Sequence, residues 1–169
     1  MLMNNLEELY ASYPVHFTNI SIKNKKLKIL DIMCLKINDD AIKDIISLQE
    51  LNALYNDISD YGLSKLNLKI LECNKYITNK GIKHMTNLKR LDASNCKYIT
   101  DEGIKNLTNL EILAVCRKSG VTDEGLLHLN LKELYSYKNY NITFNGITHM
   151  TSVNIYMKSD GCSTDSDDE

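Results

Sequence analysis

Hydrophobic residues in this chain fall into a pattern that returns at near-constant spacing. Leu27-Lys28-Ile29-Leu30, Leu48-Gln49-Glu50-Leu51, Leu68-Lys69-Ile70-Leu71, Leu88-Lys89-Arg90-Leu91, Leu110-Glu111-Ile112-Leu113 and Leu131-Lys132-Glu133-Leu134 start at intervals of 21, 20, 20, 22 and 21 residues. Leu6-Glu7-Glu8-Leu9 precedes the first by 21 residues, and Val153-Asn154-Ile155-Tyr156 follows the last by 22 as a degenerate copy. Past the second leucine, apolar residues alternate, as in Leu91 then Ala93 or Leu113 then Val115. That period of two marks a short strand with one buried face.

The second half of each unit is as regular. Ile77-Thr78-Asn79-Lys80-Gly81-Ile82, Ile99-Thr100-Asp101-Glu102-Gly103-Ile104 and Val121-Thr122-Asp123-Glu124-Gly125-Leu126 share one template, with Ile142 to Ile147, Ile58 to Leu63 and Ile37 to Ile42 as variants. The Thr, Ser or Asn is a helix N-cap, and the acid behind it suits the positive end of the helix dipole. A short helix is expected in each unit, for instance from about Asp101 to Leu107. Gly62, Gly81, Gly103, Gly125 and Gly146 hold one register. Glycine is a poor helix former, so its return to the first turn predicts that a side chain there would collide with a neighbouring unit.

Strands joined by short helical crossovers are parallel, with right-handed connections. The expected architecture is α/β: a short right-handed solenoid with parallel strands on the concave face and short helices on the convex face. About eight units of 20 to 22 residues would fill residues 1–157, the terminal ones degenerate.

Leu88 to Leu107 resembles the cysteine-containing leucine-rich repeat, LxxLxLxxCxxITDxGLxxL, and the likeness extends over about nine tenths of the chain. The Lys/Asn/Ile-rich composition is similar to F-box/LRR-type repeat proteins of giant viruses (mimivirus-like) or of AT-rich protists. The resemblance implies a binding module rather than an enzyme. It also implies that Asn or Cys in the turn bonds loop backbone along the stack, a structural role carried over to Asn56, Cys96 and Asn139. Lys118 occupies that position in its own unit, and the unit from Leu68 is shortened so that Asn74 substitutes. Within the family such repeats recognise substrates for ubiquitin ligases. An alternative expectation is therefore a substrate-recognition subunit lacking its own F-box, since the repeat begins almost at Met1.

The 20 bases and 22 acids nearly cancel, and the formal charge is -2. Nothing in that balance resembles the basic face that nucleic acid demands, so nucleic acid is not an expected partner. Residues 158–169 carry five of the acids and one base, without apolar periodicity, and are expected to be a disordered acidic tail; the remainder is then net +2. No apolar run approaches the roughly 18 residues of a membrane span, and the N-terminus lacks a signal-peptide pattern. The expected location is intracellular, cytoplasmic or nuclear. Five cysteines without a close pair point to reduced thiols.

His84, His128 and His149 recur at one helical position, but two stacked histidines are too few for a tetrahedral metal site, and no metal or cofactor is expected. No nucleophile elbow, phosphate-cradling glycine loop or H-E-x-x-H is present, so no enzymatic activity is expected. Function is expected on the open face of the sheet, where residues two apart stand together. The position after the second leucine reads Tyr10, Asp31, Asn52, Glu72, Asp92, Ala114, Tyr135, Met157; the one before it reads Glu8, Ile29, Glu50, Ile70, Arg90, Ile112, Glu133, Ile155. Two places further along come Ser12, Met33, Leu54, Ser94, Cys116, Tyr137 and Ser159. Acids in the middle, aliphatics among them and tyrosines near the end are the ingredients of an interface. The expected binding residues are Tyr10, Asp31, Glu50, Asn52, Glu72, Arg90, Asp92, Tyr135 and Tyr137, and the expected partner is a protein presenting a basic segment. Neither end, Met1-Leu2-Met3 nor Val153 to Met157, looks like a polar cap, so self-association through the ends is also expected.

Overall fold

The computed structural model describes residues 5–11, 18–23, 25–32 and 37–157. The tail at 158–169, the start at Met1-Leu2-Met3, and Ser12, Met33, Cys34 and Ser159 lie outside the described residues. Strands and helices alternate in chain order: β1 (Glu8–Ala11), α1 (Asn19–Ile22), β2 (Ile29–Ile32), α2 (Asp39–Ile42), β3 (Glu50–Asn52), α3 (Asp60–Leu63), β4 (Ile70–Glu72), α4 (Asn79–Ile82) and β5 (Arg90–Asp92). They continue as α5 (Asp101–Ile104), β6 (Ile112–Ala114), α6 (Asp123–Leu126), β7 (Glu133–Tyr135), α7 (Phe144–Ile147) and β8 (Asn154–Tyr156). Each strand pairs in parallel with the next, giving one 8-stranded sheet in sequence order among the described residues.

A strand takes about 4.8 Å along the stack, whereas a helix with its side chains takes about 10 Å. One of each per repeat bends the stack toward the sheet, so the open sheet face is the inner one. The helices are single turns. α5 ends at Ile104 rather than near Leu107, because the chain goes straight into the turns closed by Leu107 N–H to Ile104 C=O and Leu110 N–H to Leu107 C=O.

One leucine from each of β2 to β7 enters the core: Leu30, Leu51, Leu71, Leu91, Leu113 and Leu134 are all buried, while Leu9 of β1 and Ile155 of β8 are partly buried against it. The helices add Ile42, Leu63, Ile82, Ile104 and Leu126, and the residue before each N-cap adds Ile37, Ile58, Ile77, Ile99, Val121 and Ile142. Each such side chain is worth about 1.5–3 kcal/mol when removed from water, so regular spacing alone builds a continuous core.

Polar ladders tie the repeats on the helix side. The first helical residue of one unit accepts the backbone N–H and the hydroxyl of the next unit's cap. Ser59 donates both to Asp39 (2.7 and 2.6 Å), Thr78 both to Asp60 (2.7 and 2.6 Å), Thr122 both to Asp101 (2.8 and 2.8 Å) and Thr143 both to Asp123 (2.8 and 2.7 Å). At Asn79 the amide reverses one bond: it accepts from Thr100 N–H but donates to the Thr100 hydroxyl. The same side chains explain the glycines. A Cβ on Gly62, Gly81, Gly103, Gly125 or Gly146 would run into Asp39, Asp60, Asn79, Asp101 or Asp123 respectively.

A second ladder runs through the turns. Asn56 donates to the Ile32 and Leu54 carbonyls, Asn74 to those of Ala53, Asn56 and Ile58, and Asn139 to those of Val115 and Val121. The Cys96 thiol reaches the Asn74 and Ser94 carbonyls at 3.3 Å. Lys118 is exposed, and Ser119 takes the buried place in that turn. Tyr55, Asn95, Arg117 and Lys138, each four residues past its strand leucine, adopt left-handed backbone with φ of 60, 60, 60 and 54 degrees. The unit from Leu68 is two residues shorter here and has no such residue.

Cys73 and Cys96 are free and buried. Cys116 is disulfide-bonded, contrary to the expectation of reduced thiols. The absence of a close cysteine pair in sequence excludes short-range motifs only.

Candidate interaction face

The pairing register fixes two unbroken rows of side chains across the open face. One runs Tyr10, Asp31, Asn52, Glu72, Asp92, Ala114, Tyr135, Tyr156, and the other Glu8, Ile29, Glu50, Ile70, Arg90, Ile112, Glu133, Asn154. Because neighbouring strands lie about 4.8 Å apart, like charges in one row are forced close together. Asp31, Glu72 and Asp92 are separated only by Asn52.

That crowding has an electrostatic consequence. Burial pushes the Glu72 carboxyl above its ordinary range, and the charges of Asp92 and Asp31 push it further, against the pull of Arg90. The Arg90 guanidinium stands 3.7 Å from Glu72, a loose ion pair that leaves the acidic centre under-neutralised. At the other end the Tyr135 hydroxyl donates to Glu133 at 2.7 Å, and this bond, with burial, raises the Tyr135 phenol above its usual value. Tyr135 and Tyr156 stack, ring centroids 4.6 Å apart and planes 10° from parallel.

Two shallow cavities divide the face. The first, about 180 Å³, brings together Tyr10, Asp31, Glu50, Asn52, Glu72 and Arg90 over a floor of Leu30 and Leu51, with Ile29 and Ile70 at its sides. The second, about 160 Å³, joins Arg90, Asp92 and Tyr135 with Ile112, Ala114 and Glu133. Arg90 lines both. Tyr137 lines neither; it lies beyond β7, half-buried, with the Lys138 ammonium 5.4 Å from its ring.

Four placements differ from the sequence expectation. Asp92 is only 8% exposed, and its carboxylate accepts the Ser94 N–H at 2.9 Å, so it shapes the turn as much as it faces outward. Leu54 (9% exposed) and Cys116 (0% exposed) are buried rather than open, because the backbone turns left-handed at the next residues, Tyr55 and Arg117, and leaves the strand's alternation there. The last unit is shifted by one residue. Ile155, not Tyr156, pairs with Leu134, so Tyr156 continues the row in place of Met157 and Asn154 replaces Ile155. A spacing of 21 residues takes Leu134 to Ile155 and Tyr135 to Tyr156.

Elsewhere the His84 ring bonds the Leu66 carbonyl at 2.9 Å, which accounts for it as a packing residue. Among the described residues no group of three or more His, Cys, Asp or Glu is placed to hold a metal ion. None of the described helices is long and apolar enough to cross a membrane.

Residues 84–107 match the family described as Leucine Rich repeat. No curated protein matches the chain. Among solved structures, 24 chains match. One is described as the crystal structure of the Rad7 and Elc1 complex in yeast, with a TM-score of 0.68 and 18% sequence identity over 84% of this chain. This chain spans 44% of the length of that one. Repeat, register and neighbour agree: the fold is that of a leucine-rich-repeat solenoid.

Proposed function

We propose that the protein is a non-catalytic interaction module, acting in the cytoplasm or nucleus, that binds a protein partner across the inner face of its sheet. The observation that carries this reading is the pair of unbroken rows, in which Ile29, Ile70 and Ile112 stand among under-neutralised acids and end on stacked tyrosines. Aliphatic and aromatic groups supply the apolar core of an interface, and the charges around them set partner choice. A basic partner segment is favoured, since an arriving ammonium or guanidinium relieves the repulsion around Glu72. The neighbour's own description as a two-protein complex agrees with a protein partner.

The test is affinity capture by the full chain, by a face variant (Glu50→Lys, Glu72→Lys, Tyr135→Ala) and by a helix-side control (Lys83→Glu). A protein retained by the parent and the control but lost from the face variant supports the reading; identical captures by all three reject it. A second reading, a substrate-recognition subunit of a ubiquitin ligase, rests on the resemblance to F-box-type repeats. It predicts that a cullin adaptor protein accompanies parent and face variant alike.

A further inference from the structure

The turns that follow the strands form one long edge of the solenoid, and their chemistry is opposite to that of the face. Lys75, Lys97, Lys118 and Lys138 are exposed along this edge, against one carboxylate, Asp57, among its described residues. Between them stand Tyr55, Tyr76, Tyr98 and Tyr140, 48% to 88% exposed. The Lys75 ammonium lies 5.5 Å from the Tyr76 ring centroid and that of Lys97 4.8 Å from Tyr98, so base and aromatic alternate in contact. The overall charge of -2 averages this edge with the acidic face, and for that reason composition alone argued against a polyanionic ligand.

The shortened repeat adds a second feature. Where neighbouring turns carry Tyr55 and Asn95, the turn after Cys73 lacks two residues. A notch of about 260 Å³ opens there, lined by Tyr55, Asn74, Lys75, Tyr76 and Asn95 among others. It is smaller than the about 300–1,000 Å³ of pockets that hold a whole drug-sized molecule, and suits one planar group. The side-chain nitrogen of Asn95 is buried and has no hydrogen-bond partner among the described residues.

We infer that this edge binds a single-stranded nucleic acid, with its phosphates along Lys75, Lys97, Lys118 and Lys138, bases against Tyr76 and Tyr98, and one base in the notch beside Asn95. An acidic polypeptide would satisfy the lysines but leave the ring faces and the Asn95 amide unused. A nucleobase supplies both a π-face and ring acceptors that an asparagine amide reads. Repeats advance about 4.8 Å each, against about 3.4 Å per nucleotide in a duplex strand, so the ligand is an extended single strand. This surface is distinct from the inner face, and its test is independent of that reading.

The experiment is fluorescence anisotropy of the full chain with short labelled oligouridylate and oligoadenylate. Four phosphate contacts give a slope of log K against log salt of roughly -3, at about -0.7 per contact on single strands. Lys97→Glu should weaken binding and flatten that slope. Tyr98→Ala should weaken binding by at least about fivefold and leave the slope unchanged. Inserting Ser-Asn between Cys73 and Asn74 restores the neighbouring turn length, closes the notch and should cost about tenfold. If the inserted chain fails to fold, the two variants at exposed positions still decide. The inference is overturned by absence of binding at low salt, or by a Tyr98→Ala variant that binds like the parent. It is equally overturned if a polyglutamate peptide competes at parity with both oligonucleotides, which would mark an acidic polypeptide as the ligand.

Discussion

The Asp101 carboxylate and Gly125, one repeat apart, are in contact because that carboxylate takes both the N–H and the hydroxyl of Thr122 at 2.8 Å. Replacing glycine by alanine inside a helix ordinarily gains about 1 kcal/mol. Here the added methyl meets Asp101, so Gly125→Ala should instead cost about 1–3 kcal/mol, the scale of an overpacked site. Asp101→Ala should cost about 1.5–3 kcal/mol through its lost charge-assisted bonds. The double variant should be less destabilised than the sum, since the first change removes the obstacle to the second. Urea midpoints of the four proteins measure the coupling, and strict additivity would show that the glycine register has another cause.

The turn ladder makes a different prediction at the shortened unit. Asn74 spreads two amide protons over the Ala53, Asn56 and Ile58 carbonyls and accepts the Tyr76 N–H at 2.8 Å. Asn74→Ala leaves these buried groups without their partner and should cost about 3 kcal/mol. Cys96→Ala loses only thiol contacts at 3.3 Å and should cost about 1 kcal/mol. Denaturant unfolding of the two variants side by side checks the order, and a Cys96 effect equal to that of Asn74 would contradict it.

Strand register was legible in the sequence wherever a leucine marked it, because in a parallel solenoid one spacing sets every pairing: Leu51 meets Leu71, and Leu71 meets Leu91. It slipped by one at Ile155, where no leucine anchors the copy and Val153 and Tyr156 compete as its ends. The glycine column was visible as a steric demand, but its cause was not. That Asp101 would turn from its own helix dipole to the next unit's Thr122 depends on how units stack. Face membership failed past the strand ends for a local reason. Leu54 and Cys116 keep the alternating phase in sequence, yet the backbone turns left-handed at Tyr55 and Arg117 and leaves the strand's alternation there. The edge chemistry was hidden by averaging, since Lys97 and Tyr98 are ordinary neighbours until they align with Lys75 and Tyr76.

Acid should change stability in an unusual direction at Glu72. Burial first, then Asp92 and Asp31, raise its carboxyl above the ordinary value of 4.5. The folded state therefore holds this proton more tightly than the unfolded chain. The Glu72 contribution becomes more favourable as pH falls through the raised value, and levels off below the ordinary one. Glu72→Gln should stabilise the protein at neutral pH by a few tenths of a kcal/mol, the scale of exposed charge pairs. That advantage should vanish in acid. Urea midpoints of parent and variant across this range should converge on acidification, and a constant gap would remove the repulsion argument.

At the C-terminal end, β8 is held among the described residues by β7 alone, and the ring of Tyr156 lies flat on Tyr135. A stacked aromatic pair is worth about 0.5–1.5 kcal/mol beyond its buried area. In a solenoid each repeat leans only on its neighbours, so losing that contact should act locally before it acts globally. Tyr156→Ala should speed exchange of the Ser136 amide, which donates to the Tyr156 carbonyl at 3.0 Å. The Cys73 and Ala93 amides, bonded to the Asp92 and Ala114 carbonyls in the middle of the stack, should keep their protection. Uniform acceleration at all three would mean that the end repeat unfolds only with the whole. Unchanged exchange at Ser136 would mean that backbone pairing, rather than the ring stack, holds β8 in place.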